Sequence, residues 1–116
     1  MIRRSGEYRT EQREEMRGGK GTVTIEHFWE PKTEMRSHTR MCAKLTIPPG
    51  GSIGFHPHDA EEEIFVVIRG TAEADDNGEV VQLGVGDTLL TGNGDGHAIR
   101  CTSEEPLELL AVIATY

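Results

Sequence analysis

Gly50-Gly51-Ser52-Ile53-Gly54-Phe55-His56-Pro57-His58-Asp59-Ala60-Glu61-Glu62-Glu63, continuing as Ile64-Phe65-Val66-Val67-Ile68-Arg69-Gly70, is the stretch on which the reading of this chain turns. It places two of the chain's five histidines two residues apart, then three consecutive glutamates, then an apolar run closed by glycine. Residues two apart on a strand point to the same face, so His56 and His58 are predicted side by side, with Pro57 facing away. A glutamate past the short turn, at the start of the next strand, can then meet both imidazoles. Imidazole nitrogens with one carboxylate form a mixed N/O set suited to a divalent first-row metal. His97 follows the glycine-rich loop Gly92-Asn93-Gly94-Asp95-Gly96 and is a third imidazole that a loop can deliver to the same place.

Working outward, the chain is a series of short strand-like runs. Thr22 to Trp29 is β-branched and aromatic. Met41 to Ile47 alternates apolar and polar and stops at Pro48-Pro49-Gly50-Gly51. Ile64 to Ile68 is continuously apolar and reads as buried on both faces, as does Leu107 to Ile113. Thr71 to Asp75 and Glu79 to Leu83 flank Asp76-Asn77-Gly78, whose Asn-Gly pair is a strong hairpin signal. Thr88 to Thr91 and Ala98 to Cys101 complete the set. Short strands at regular spacing, punctuated by Gly and Pro, predict an all-β sandwich or barrel over residues 22–116. Residues 1–21 form a polar N-terminal segment. Within it, Thr10 to Arg17 is expected to make a helical turn ended by Gly18, Gly19 and Gly21. That glycine cluster lacks the spacing of a phosphate-cradling loop and follows no predicted strand.

At 116 residues the chain is read as one domain. Nine of its Lys/Arg fall at or before Arg40, against seven Asp/Glu; from Met41 onward the count is three against thirteen. The acidic second part argues against binding a phosphate backbone, so no nucleic-acid partner is expected. No apolar stretch has membrane-spanning length and no signal segment is evident at Met1-Ile2-Arg3-Arg4, so a cytoplasmic location is expected. Two cysteines, Cys42 and Cys101, make no disulfide framework and are read as free thiols.

The stretch from Gly50 to Gly70, together with Gly86 to Cys101, resembles the two motifs of the cupins. The first, G-x5-H-x-H-x4-E-x6-G, is matched at Gly50, His56, His58, Glu63 and Gly70. The second, G-x5-P-x-G-x2-H-x3-N, is matched at Gly86, Gly94 and His97, with Gly92 in place of the proline and Cys101 in place of the asparagine. The resemblance implies a double-stranded β-helix, or jelly-roll barrel, with His56, His58, Glu63 and His97 as ligands of one divalent transition metal: Mn, Fe, Ni, Zn or Co. Spacing to Gly70 selects Glu63 over Glu61 and Glu62, which are expected as solvated rim carboxylates. Gly92 is expected to loosen its loop. Cys101, two rungs along from His97, is expected to face the same way and to be a small buried hydrophobe or to lie near the metal. Asp59 and Asp95 read as turn formers, His27 and His38 as residues without ligand partners, and Arg40 and Arg100 as surface arginines or holders of an anion. Relatives of this kind include dioxygenases, decarboxylases, isomerases and non-catalytic binding domains. The expected function is a metal-dependent enzyme acting on a small oxygenated molecule, with a small-molecule-binding or regulatory domain as the rival; no catalytic residue is assigned. The resemblance also implies a homodimer, with Thr22 to Trp29 as the candidate crossing strand.

Overall fold

Alternating burial along each segment sets the strands. The computed structural model describes residues 1–116 and contains ten of them. They are β1 (Arg9–Glu14), β2 (Thr22–His27), β3 (Thr39–Ile47), β4 (Ser52–Pro57), β5 (Glu61–Arg69), β6 (Ala72–Asp76), β7 (Glu79–Leu83), β8 (Thr88–Gly92), β9 (Gly96–Cys101) and β10 (Leu107–Thr115). They form a six-stranded sheet in the order β1-β2-β3-β10-β5-β8 and a four-stranded sheet in the order β4-β9-β6-β7. All pairings between named strands are antiparallel, and distant partners such as β3 with β10 and β4 with β9 are the long returns of a jelly roll. This is the all-β fold that the strand pattern predicts, in the double-stranded β-helix form that the motif resemblance implies.

One apolar cluster of 18 buried residues fills the space between the sheets. Met41, Ala43, Leu45 and Ile47 of β3 point inward, paired in register with Ile113, Ala111, Leu109 and Leu107 of β10. Asn77 and Gly78 both take positive φ, 49° and 98°, as the tight turn between β6 and β7 requires. No helix of the protein is long and apolar enough to cross a membrane.

Two expectations change. Ile64 to Ile68 is buried on one face only: Phe65 and Val67 are in the core, while Ile64 and Ile68 are 38% and 45% exposed. Leu107–Thr115 likewise alternates, with Leu110 and Val112 only half-buried. Both strands lie in the six-stranded sheet, whose outer face has no layer over it within one chain. Thr10 to Arg17 is not a helical turn. It is β1, followed by a single 3-10 turn at Met16–Gly18. Eight residues, seven of them polar, are too few to sustain a helix alone. β1 instead pairs with β2 along its whole length, from Arg9 opposite His27 to Glu14 opposite Thr22.

The connection after β1 is tightly docked. A Cβ on Gly54 of β4 would lie 2.0 Å from the Arg17 carbonyl oxygen, and one on Gly19 would lie 2.1 Å from that of Ser52. Backbone meets backbone there, which only glycine permits.

Candidate metal centre

Simple alternation along β4 would turn His56 outward, because Ile53 is buried and the two are three residues apart. The register resolves this. Ile53 lies opposite Ile99 and His56 opposite His97, so three steps on β4 match two on β9. The extra residue is a β-bulge, which restarts the alternation. Phe55 is thereby turned to solvent and His56 into the barrel. His58 follows just past the strand; its backbone N–H donates to the Asp95 carbonyl at 2.9 Å, and its own carbonyl accepts from Gly94 N–H at 2.8 Å. Glu63 sits near the start of β5 and His97 in β9. The ligand atoms of these four buried residues all lie within 4.8 Å of one another.

The Nε2 atoms of His58 and His97 are 3.1 Å apart and those of His97 and His56 3.2 Å apart. Glu63 Oε1 lies 3.0 Å from His58 Nε2 and 3.0 Å from His97 Nε2. The outer ring nitrogens decide which tautomers are present. His56 Nδ1–H donates to the Gly54 carbonyl at 2.8 Å, and His58 Nδ1–H donates to Glu61 Oε2 at 2.6 Å. Both partners only accept, so a neutral ring presents an Nε2 lone pair inward at each position, whereas a protonated His58 donates from Nε2 to Glu63 Oε1. His97 Nδ1 is 2.8 Å from Thr91 Oγ1, and its ring stacks on Phe65 at 4.8 Å between centroids. Converging lone pairs and a carboxylate repel one another unless a cation sits among them. The donor set therefore fits a divalent metal.

Electrostatics agree with a strained, cation-seeking cluster. Burial, helped by the neighbouring imidazoles, pushes the His56 pKa down. Hydrogen bonds to Glu63 and Glu61 raise that of His58, against its burial. Burial opposes ionisation of Glu63, but hydrogen bonds from His58 and His97 outweigh it and hold the carboxyl below its usual range.

Glu61 is not a solvated rim residue. Arg40 Nε and Nη2 donate to its two oxygens, each at 2.9 Å, and Glu61 in turn orients His58. The Arg40 guanidinium, together with the His58 bond, holds its carboxyl down at about 2. Gly92 is a point of close approach, not of looseness: it ends β8 opposite Glu62, and a Cβ there would lie 2.7 Å from the Glu62 Cβ. Cys101 is buried, but its thiol faces the Glu105 carbonyl at 3.3 Å, and it does not line the cavity. Asp59 and Asp95 are exposed loop residues, Arg100 pairs with Glu73 at the surface, and His27 is buried away from the cluster beside Glu11.

A cavity of about 40 Å³ opens over the cluster, with His56, His58 and Glu63 at its base and apolar walls that include Met41, Ile53 and Phe65. Arg13, Arg17 and Arg40 ring its mouth. Arg13 and Arg17 come from the N-terminal segment and escaped the sequence reading. Their one available signal was the concentration of Lys/Arg before residue 41.

Known proteins share this build. The family model of the cupin domain matches residues 43–113. An oxalate-binding protein of Thermotoga maritima is 40% identical over 113 residues, spanning 97% of this chain and 93% of that one. The crystal structure of a predicted oxalate decarboxylase from Thermotoga maritima superposes with a TM-score of 0.94 at 38% identity, each chain fully covered. The cupin domain of Schizosaccharomyces pombe Cnp3 shares the fold alone, with a TM-score of 0.74 at 12% identity over 91% of this chain and 69% of that one. With more than half its length matched and both motifs folded around one buried His/Glu cluster, the chain belongs to the cupin family.

Proposed function

We propose that this cupin holds one divalent transition metal through His56, His58, Glu63 and His97 and uses it to bind a small carboxylate of the oxalate kind. The observation that carries this reading is the convergence of three imidazoles and a carboxylate beneath a small cavity ringed by arginines. The relative called an oxalate-binding protein supports the ligand class. A six-coordinate ion such as Mn, Fe, Co or Ni, held by these four residues, would leave open positions for the anion. When bound, the ion supplies Lewis-acid attraction for carboxylate oxygens. The protein's own part is to orient the imidazoles through Gly54, Glu61 and Thr91 and to surround the anion with positive charge.

Binding is favoured over turnover for a specific reason. An oxygenase, isomerase or decarboxylase that moves a proton needs a positioned acid or base. Every titratable residue lining this cavity is either one of the four proposed ligands or an arginine, which stays protonated. Metal analysis of purified protein is expected to give about one ion per chain. Calorimetry is expected to show oxalate binding that chelation abolishes, without CO2 release or O2 uptake. Sustained CO2 release or O2 uptake would replace binding with catalysis. Failure to take up any first-row divalent ion would overturn the reading outright.

A homodimer is the assembly we propose for this chain. Across the outer face of the six-stranded sheet, Val112, Ile64 and Leu90 line one rung, and Leu110 and Val66 the next. Leu90 is 61% exposed, and this contiguous apolar area spans three adjacent strands. A second copy offering the same face would cover it symmetrically. β2 sits between β1 and β3 in its own sheet, so this face, not an exchanged β2, is the proposed contact. Light scattering is expected to give twice the 12.8 kDa chain mass. Ile64→Lys with Leu90→Lys is expected to reduce it to one chain with metal content unchanged; a monomeric parent protein would refute the pairing.

A further inference from the structure

The three arginines at the cavity mouth are not equivalent. Arg40 is committed to Glu61 through two hydrogen bonds. Arg13 is committed to Glu11, with Nε donating at 2.8 Å and Nη2 lying 2.7 Å away. Arg17 has no carboxylate partner, although it lines the same cavity. Its backbone is also costly. Arg17 takes φ 54° and ψ 29°, the left-handed conformation that a side chain with a Cβ disfavours, inside the short turn that joins β1 to β2. Glycine would fit that position better, and Gly18 beside it, with φ 82°, takes the same conformation freely. The turn is pinned to β4 by the Gly19 and Gly54 backbone contacts, so the strained residue is held at the cavity and not left to swing away. Glu15 in the same turn shares that conformation, but Arg17 is the one residue of the turn that combines it with an exposed, unpaired guanidinium lining the cavity, which leaves it available to a ligand.

We propose that Arg17 makes this site select dicarboxylates over monocarboxylates, by receiving the carboxylate group that the metal centre leaves free. The assignment rests on the carboxylate-binding reading above and deepens it. A guanidinium presents two parallel N–H donors that match both oxygens of a carboxylate, and Arg17 has no competing protein acceptor to displace. With Arg13 and Arg40 paired to glutamates, Arg17 is the rim arginine whose charge is not cancelled by a contacting carboxylate, in a chain of net charge −8. A monocarboxylate spends its one group on the metal and leaves Arg17 unused.

The test uses the full chain reconstituted with manganese(II), with oxalate and acetate as calorimetric probes. Arg17→Gln and Arg17→Gly are expected to weaken oxalate binding about tenfold or more and to change acetate binding by less than about threefold. Arg17→Lys keeps part of the oxalate affinity, because an ammonium retains the charge but not the fork. Metal content stays at the parent level in all three, and Arg17→Gly melts at or above the parent temperature because the backbone strain is released. A structural role would move that last readout the other way, so an Arg17→Gly protein that melts well below the parent while losing oxalate overturns the assignment. Oxalate affinity within about threefold of the parent in Arg17→Gln also overturns it, and leaves the carboxylate reading standing. A parent protein that holds manganese but binds neither oxalate nor acetate overturns both.

Discussion

His97→Ala is expected to lower bound metal from about one ion per chain to less than about a tenth and to abolish carboxylate binding with it. Of the four clustered residues, His97 has the most to lose. It is fully buried, and its Nε2 approaches His58, His56 and Glu63 at 3.1, 3.2 and 3.0 Å. Removing the ring also takes away one of the two imidazoles that compensate the buried Glu63 carboxylate and leaves Phe65 without its stacking partner. A buried charge deprived of a hydrogen-bond partner costs about 1–3 kcal/mol, and the vacated ring adds a cavity penalty. The signature is a pair of melting curves. Chelation is expected to lower the melting temperature of the parent protein and to leave that of His97→Ala unmoved, because a ligand stabilises only a fold that binds it. His27→Ala is the control: that ring is equally a buried histidine but stands outside the cluster, so its metal content is expected to match the parent's. Full metal loading of His97→Ala, measured by elemental analysis, would remove this residue from the site.

The second large effect is expected from Gly54→Val. The first carbon of the new side chain would fall 2.0 Å from the Arg17 carbonyl oxygen, 2.8 Å from its carbon and 3.1 Å from the Gly19 nitrogen. All three are backbone atoms, so no flexible side chain can yield. Either β4 shifts or the turn at residues 15–21 lifts off, and overpacking of this kind costs about 1–3 kcal/mol. The turn is the weaker party, since it is exposed and belongs to the edge hairpin of its sheet. Arg17 and Lys20 are already exposed, but their backbone is held by the docking; its release frees that backbone to enter a protease, so limited trypsin digestion is expected to cut the variant there while the parent resists. A variant as resistant as the parent, with an unchanged melting temperature, would show that the docking contributes nothing to the fold.

The strands were legible in the sequence because they obey local rules, while their jelly-roll arrangement and the set of four clustered residues were implied by the resemblance to the cupin motifs. Alternation marks β3, and Asn77-Gly78 marks its hairpin through the φ values that turn demands. Spacing singled out Glu63 from its two neighbours. What escaped depends on pairing across the fold. β1 is polar throughout, so only its ladder with β2 makes it a strand. Glu61 reads as one more acid in a run until Arg40, 21 residues away, is placed against it. Arg13 and Arg17 carry no local mark at all. They reach the cavity because two glycines far apart in the chain, Gly19 and Gly54, allow two backbones to touch.

The extra residue in β4 has a consequence of parity. Ile53 belongs to the core and His56 to the buried His/Glu cluster, and the two are in opposite phase along one strand, reconciled by a single inserted position. Without the bulge, plain alternation over the same three-residue spacing would keep Ile53 packed and point the imidazole at solvent, with every one of the clustered residues still present in the sequence. Presence of the histidine motif and possession of the metal centre are therefore separable properties. In a protein of this build, the bulge between the last core side chain and the first histidine is as informative as the histidines themselves.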